Sequence, residues 1–374
     1  MDANLVSQSP MGAFGVNFYK AIGEQSGNLI ASPLSAYFAL AMVLMGARGK
    51  SESEMLRVLR LPAGLSAKND IERLFSELTS HLNSMQQVEL SLANRAFAAA
   101  DIRIKPDYAK SLTKTFSSQI ANVNFADPKT KNLINEWVEK VTKNKIRNLF
   151  KDDFDSATRL VLVNAVYFKG SWKNAFDKKL TSSQKFKTGG SSVQVQMMSH
   201  PRKTYMYRNL EEYNAQLLEL PYKGGELSMV IILPNKDDGL AQLERSLGRA
   251  DIAELLSKAS NTSNVIFSMP KFKIETSLKL NAYLQKMGLV DIFTKGANLT
   301  GISEESLSVT TVVQKAFIEV NEEGTEAAAS TGIGIGLTSV PNFTDFRCDH
   351  PFLYFVTFKR LFTLFGGRVM NPAA

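Results

Sequence analysis

The sequence predicts an α+β fold, and three observations carry that expectation. Helical periodicity is concentrated before Trp172, strand-type patterns crowd the chain after it, and Leu160–Phe168 (LVLVNAVYF) is an almost continuous apolar run. A run of that kind implies a strand buried on both faces. Helices gathered early and strands gathered late argue for large mixed or antiparallel sheets rather than for repeated βαβ units.

In chain order, Phe14, Phe18 and Ile22, spaced by four, mark an amphipathic first helix. Pro33 followed by Ser35 opens a second, whose apolar stretch Ala36–Ala47 falls short of the roughly 20 residues of a membrane span and reads as a buried core helix. Val88, Leu90 and Leu92 alternate as a strand, and Leu133, Ile134, Trp137, Val138 and Val141 fit one helix face. Beyond Trp172, strands are expected around 193–197, 216–220, 227–233, 265–267, 352–358 and 361–369. Two helices, near 240–257 and 278–287, interrupt them. Of the three histidines, His81 is expected on the polar side of a helix and His200 in a loop.

Composition sets the outer limits. At 374 residues, 44% hydrophobic and 21% charged, with no linker, repeat or low-complexity tract, the chain reads as one compact unit over 1–374. The N-terminus lacks the basic start and apolar run of a secretory signal. Cys348 is the single cysteine, so no intrachain disulfide is possible and the redox compartment stays open. Asn261, Asn298 and Asn342 head sequons that would accept glycans in a secreted chain. The net charge of +8 favours polyanions but is too dispersed to name a nucleic acid. Its densest stretch, Lys169–Lys187, reads as a solvated face or as a glycosaminoglycan site centred on Lys178 and Lys179.

Enzymatic signatures are missing. No histidine stands in an HExxH or Cys/His pattern, and there is neither a GxSxG elbow nor a GxxxxGK[ST] loop. Gly332-Ile-Gly334-Ile-Gly336 departs from the dinucleotide fingerprint, because Leu337 stands where the third glycine belongs. No cofactor and no metal are expected.

The most informative segment is Glu322–Pro341. From Thr325 every second residue is apolar or a compact threonine (Thr325, Ala327, Ala329, Thr331, Ile333, Ile335, Leu337), the pattern of a half-buried strand. Three glycines and an alanine-rich start nevertheless make a poor free-standing strand. Patterning for burial combined with freedom of the backbone points to a conformational switch.

Four motifs give that segment a family. The hinge Glu322-Glu-Gly324-Thr325-Glu326-Ala327-Ala328-Ala329, the C-terminal Phe346–Val356, the early Asn28–Ser35, and Lys286–Phe293 with Ala297–Ser303 together resemble the serpins, from the first helix to the C-terminus. The resemblance implies helices packed around large mixed and antiparallel sheets, with a mobile reactive-centre loop at about 322–345. It implies a suicide inhibitor of serine proteases: cleavage of the loop, an acyl-enzyme, then insertion of the loop as a strand into the main sheet, the strand addition described for this family. Thr325–Leu337 would span roughly 40 Å at about 3.3 Å per residue. Gly324 would be the pivot, and Glu326 falls on the outward phase.

Family spacing places the reactive bond at Thr338–Ser339, flanked by Leu337 and Val340, and the absence of Lys or Arg between Gly324 and Phe346 favours an elastase-like or chymotrypsin-like target. The resemblance also assigns Trp172, Lys271 and Glu322 to the region where the sheet opens, with Lys271 and Glu322 paired. Ser32, Ser35, Asn164 and Gln314 fall to a polar cluster, although for the two serines helix capping is the bland alternative. Gln314 replaces a histidine found in many members, which predicts an opening step nearly independent of pH from 6 to 8. Cys348 replaces a small apolar residue of the family signature and reads as a buried hydrophobe. A monomer able to form loop–sheet polymers and, from family habit and the sequons, an extracellular location are expected. The alternatives are a non-inhibitory carrier, chaperone or storage serpin, and a cytoplasmic location.

Overall fold

The computed structural model describes residues 10–61, 68–85, 88–248, 250–323 and 343–374. Its helices among these residues are α1 (Pro10–Ile22), α2 (Pro33–Leu44), α3 (Gly49–Val58), α4 (Lys68–Ser84), α5 (Pro106–Phe116), α6 (Lys129–Val141), α7 (Leu240–Leu247), α8 (Ile252–Ser257) and α9 (Asn281–Lys286). The strands are β1 (Leu29–Ala31), β2 (Val88–Ala99), β3 (Gln119–Val123), β4 (Leu160–Gly170), β5 (Ser182–Lys187), β6 (Ser192–Leu210), β7 (Ala215–Pro221) and β8 (Leu227–Pro234), followed by β9 (Ser260–Pro270), β10 (Phe272–Lys279), β11 (Thr311–Val320), β12 (Thr344–Arg347), β13 (Phe352–Phe358) and β14 (Phe362–Val369). Six of the nine described helices precede Trp172, as the α+β reading requires. Among the described residues no helix is long and apolar enough to cross a membrane.

Two compact units share the chain. The first comprises residues up to Glu24, Ala31–Phe168 and Glu275–Phe317; the second comprises Gln25–Ile30, Lys169–Ile274 and Ile318–Ala374.

In the first unit α2 is buried at every position, the expected outcome for a helix that is apolar all round. Ser32 caps it, accepting from Ser35 N at 3.1 Å, and Pro33 fills the first turn, where its missing N–H costs nothing. Phe14 and Phe18 of α1 are fully buried, and Phe14 meets Tyr37 of α2 edge-on at 5.2 Å. A five-stranded sheet runs β10-β11-β4-β2-β3, so β11 and β4 are direct neighbours. β4 is buried from Leu160 to Phe168, as its unbroken apolar run predicts.

The second unit is built on a larger sheet ordered β1-β14-β13-β8-β7-β6-β9-β12, with β5 paired to β6. Gly367 allows its edge to close: a Cβ there would stand 2.0 Å from the Leu29 carbonyl oxygen.

Four local expectations are corrected. His200 lies in β6, not in a loop, and is 3% exposed. Its ring stacks on Phe176 at 4.0 Å, Nε2 donates to the Ala175 carbonyl at 2.9 Å, and Nδ1 accepts from the Tyr205 hydroxyl at 2.5 Å. Desolvation pushes its pKa down to about 4 despite the contact with Ala175. The helix expected over 240–257 is two, α7 and α8, with Asp251 capping the second through Ala253 N. In the 278–287 segment only α9 is helical, since Leu278 and Lys279 complete β10. Leu133, placed by periodicity on the inner face of α6, is 49% exposed, whereas Ile134 and Val138 are fully buried.

Candidate functional site

Two side-chain constellations bring together the residues assigned from sequence. In the first unit, Ser32, Ser35, Asn164 and Gln314 all have no solvent exposure. Gln314 of β11 uses both ends of its amide: Oε1 accepts from Ser32 N at 2.7 Å, while Nε2 donates to Ser32 O at 2.9 Å and to Asn164 Oδ1 at 2.6 Å. Asn164 of β4 in turn donates to Ser35 O at 2.8 Å, to Ser35 Oγ at 2.5 Å, and to Asn94 Oδ1. Ser32 takes part twice, for its hydroxyl caps α2 while its main chain binds Gln314. Asn94 of β2 was missed. The available signal is that Asn94 shares the alternating phase of Val88, Leu90 and Leu92, and a polar residue on an apolar phase marks a buried hydrogen bond.

The second constellation lies in the second unit, where the chain continues beyond β4 and β11. Glu322 is 5% exposed, and its carboxylate receives Lys271 Nζ at 2.9 Å and Thr181 Oγ1 at 2.9 Å. Burial opposes ionisation of Glu322, but Lys271, its own amide and the Thr181 hydroxyl outweigh that and hold the carboxyl below its ordinary value. Trp172 Nε1 donates to Asn321 O at 2.8 Å, Trp172 N to Glu323 O at 3.3 Å, and Phe176 N to Glu322 O at 3.3 Å. The Trp172 indole is itself stacked on Tyr222 at 4.4 Å. Lys169 and Glu323 add a second ion pair at 2.7 Å. Asn321, Glu322 and Glu323, the last described residues before Gly324, are thus each tied by hydrogen bonds. Thr181 and Tyr222 escaped the sequence reading, because no local pattern links them to residues 141 and 50 positions away.

The rest of the assignment falls elsewhere. Gly324, Thr325, Glu326, Ala327, Ala328, Ala329, Leu337, Thr338, Ser339, Val340 and Asn342 lie outside the described residues. Asn261 and Asn298 are exposed. Cys348 is fully buried, and burial raises its thiol pKa well above the ordinary value. Within Lys169–Lys187, Lys169 pairs with Glu323 and Lys187 with Asp237, while Lys178 and Lys179 remain exposed.

Comparison with known proteins places the chain in a family. The profile of the serpin (serine protease inhibitor) family matches residues 9–372, and the chain belongs to that family. It is 37% identical to the leukocyte elastase inhibitor of Sus scrofa over 374 residues, 96% of this chain and 97% of that protein. To human Serpin B3 it is 35% identical over 370 residues, 93% of this chain and 95% of the relative. The crystal structure of Serpin48, described as a highly specific serpin of the insect Tenebrio molitor, superposes with a TM-score of 0.88 at 31% identity, covering 99% of both chains.

Proposed function

We propose that the protein is a suicide inhibitor of serine proteases, cleaved at Thr338–Ser339 and trapping its target as an acyl-enzyme while Thr325–Leu337 inserts between β4 and β11. The observation that carries this reading is the adjacency of β4 and β11, held at a buried cluster of neutral amides and hydroxyls. Such a cluster pairs its own amides and hydroxyls in the closed sheet and leaves no unpaired charge to strand when the strands part. Glu322 with Lys271, and the Trp172 main chain, would hold the base of the loop until that event. The small residues of the hinge would fit an opening gap, and Thr338 or Leu337 suits the primary pocket of an elastase-like or chymotrypsin-like enzyme. The name of the porcine relative agrees with the first of these.

Location is read with the cytoplasmic alternative. The extracellular expectation rests on family habit and three sequons, and the relatives, a leukocyte elastase inhibitor and Serpin B3, lend no support to a secreted glycoprotein. Peptide mapping of protein from its native source checks this: glycan on Asn261 or Asn298 reverses the assignment.

Incubation with elastase and with chymotrypsin tests the mechanism. A detergent-resistant covalent complex, and a large rise in melting temperature after cleavage of the loop, are expected. Clean cleavage with neither effect refutes inhibition and leaves the carrier, chaperone or storage alternative.

A further inference from the structure

A groove of about 640 Å³ opens on the first unit between the last turns of α1, α3 and α9. Its charged lining comprises Lys20, Arg57, Arg60 and Lys286 against the single acid Glu24. These cations are scattered along the sequence, so no basic run announces them; folding alone gathers them. Lys286 is paired with Glu24 at 2.7 Å, and Arg57 donates to the Gly288 carbonyl at 3.1 Å. Lys20 and Arg60 pair with no carboxylate among the described residues.

A purely structural account is available, because Lys20, Arg57 and Lys286 stand in the last turns of their helices, where cations offset the dipole. Magnitudes decide against it as a complete explanation. Three helix ends supply roughly −0.5 charge each, and less for the single-turn α9, whereas the side chains sum to four positive and one negative. A positive excess is left facing a concave, open space of the size that holds small ligands.

From this constellation we infer a binding site for a compact polyanion bearing several phosphate monoesters on a ring-sized scaffold. Two guanidiniums offer forked donors that match phosphate oxygens, and Lys20 adds a mobile point charge. Phosphate monoesters carry about −1.5 to −2 charge each at neutral pH, so a ring bearing several of them places more charge in this volume than singly charged sulfate esters do. A volume of about 640 Å³ suits a compact ligand rather than an extended chain.

The test is calorimetric titration of the full-length protein with inositol hexakisphosphate at an ionic strength of about 0.15 M, with sucrose octasulfate in parallel. Saturable binding, a melting temperature that rises with ligand concentration, and affinity at least about tenfold weaker in the Lys20→Gln/Arg60→Gln double variant are expected. Both positions are exposed, and their side chains make no described ion pair, so that variant keeps the fold. A Lys178→Gln/Lys179→Gln variant should bind like the parent. The proposal is overturned by absence of saturable binding, by loss of binding in the Lys178/Lys179 variant with retention in the Lys20/Arg60 variant, or by octasulfate binding as tightly as the phosphate.

Discussion

Around Gln314, five side chains from α2, β2, β4 and β11 bury amides and hydroxyls without one formal charge. Around Glu322, a carboxylate of 5% exposure is matched by a lysine that keeps 39% of its side chain in solvent. The difference teaches how each region responds to stress. A neutral network is indifferent to salt and pH but intolerant of losing a member, because each buried donor or acceptor left unpaired costs its full desolvation. A charged network that reaches the surface is softer to substitution and sensitive to both.

The sharpest way to break the comparison is Gln314→Leu. It removes the Gln314 amide from Asn164 Oδ1, Ser32 N and Ser32 O, the last of which still accepts from Ala36 N, and should cost about 2–4 kcal/mol, read from the urea midpoint at constant m-value. Gln314→His sharpens it differently. It introduces a titratable ring where none exists, so an opening rate flat between pH 6 and 8 in the parent should acquire a pH dependence; an equally flat profile in the variant counts against control by this position.

Acid titration comes next, and its effects belong to the second unit. His200 has a folded pKa of about 4 against an ordinary 6.5, because burial disfavours its charged form. The unfolded chain therefore takes up the proton first, and stability is lost as pH falls from about 6.5 to 4, by roughly 2–3 kcal/mol. His350 has the opposite sign: burial lowers its pKa, but Asp349, the Pro234 carbonyl and Asp237 prevail and raise it. Its contribution is complete below the ordinary value and is lost as pH rises through the higher folded value. Global stability should accordingly peak near the ordinary histidine pKa even while opening at Gln314 stays flat. A monotonic profile from pH 4 to 8 contradicts the pair of assignments.

A smaller effect is expected for Lys271→Met. The buried Glu322 carboxylate keeps the Thr181 hydroxyl and its own amide, and the lost partner was partly solvated, so the cost is about 1–2 kcal/mol at neutral pH. The sign of the pH effect is fixed. The Glu322 carboxyl titrates below its ordinary value while Lys271 is present, so its contribution is held above that value and lost as pH falls through the folded pKa; without Lys271 that loss begins at higher pH. Stability curves of parent and variant that run parallel through pH 3–5 would falsify the role of the pair.

Legibility differed between the regions for a physical reason. Strand β4 announced itself because burial on both faces requires an unbroken apolar run, whereas the role of Asn164 within it came, like those of the other cluster residues, from resemblance. The motif residues Ser32, Ser35 and Gln314 could be placed by resemblance, and Asn94 was recoverable from its phase. The charged region depends on contacts that periodicity does not encode: Thr181 and Tyr222 reach Glu322 and Trp172 from unpatterned segments. The strand position of His200 was hidden similarly. The register of β6 shifts between His200 and Lys203 and again before Tyr205, which breaks the alternation that would have marked it.

The smallest effect expected is at Glu323→Gln, and it tests whether the charged region grades into solvent. Lys169 belongs to β4 and Glu323 follows β11, so their ion pair ties the continuations of the two strands that insertion would separate. Its side chains are 29% and 53% exposed, which screens the attraction, so its loss should cost no more than about 0.5 kcal/mol at low salt. The main-chain bonds from Trp172 N to Glu323 O and from Phe176 N to Glu322 O do not involve the substituted carboxylate. The rate of strand insertion should therefore rise only about twofold, and the difference from the parent should vanish by about 1 M salt, where the screening length is about 3 Å. A double-mutant cycle with Lys169→Gln isolates the pair. A coupling that persists at high salt, or that exceeds the effect of Lys271→Met, would mean that this exposed pair governs opening instead of the buried one beside it.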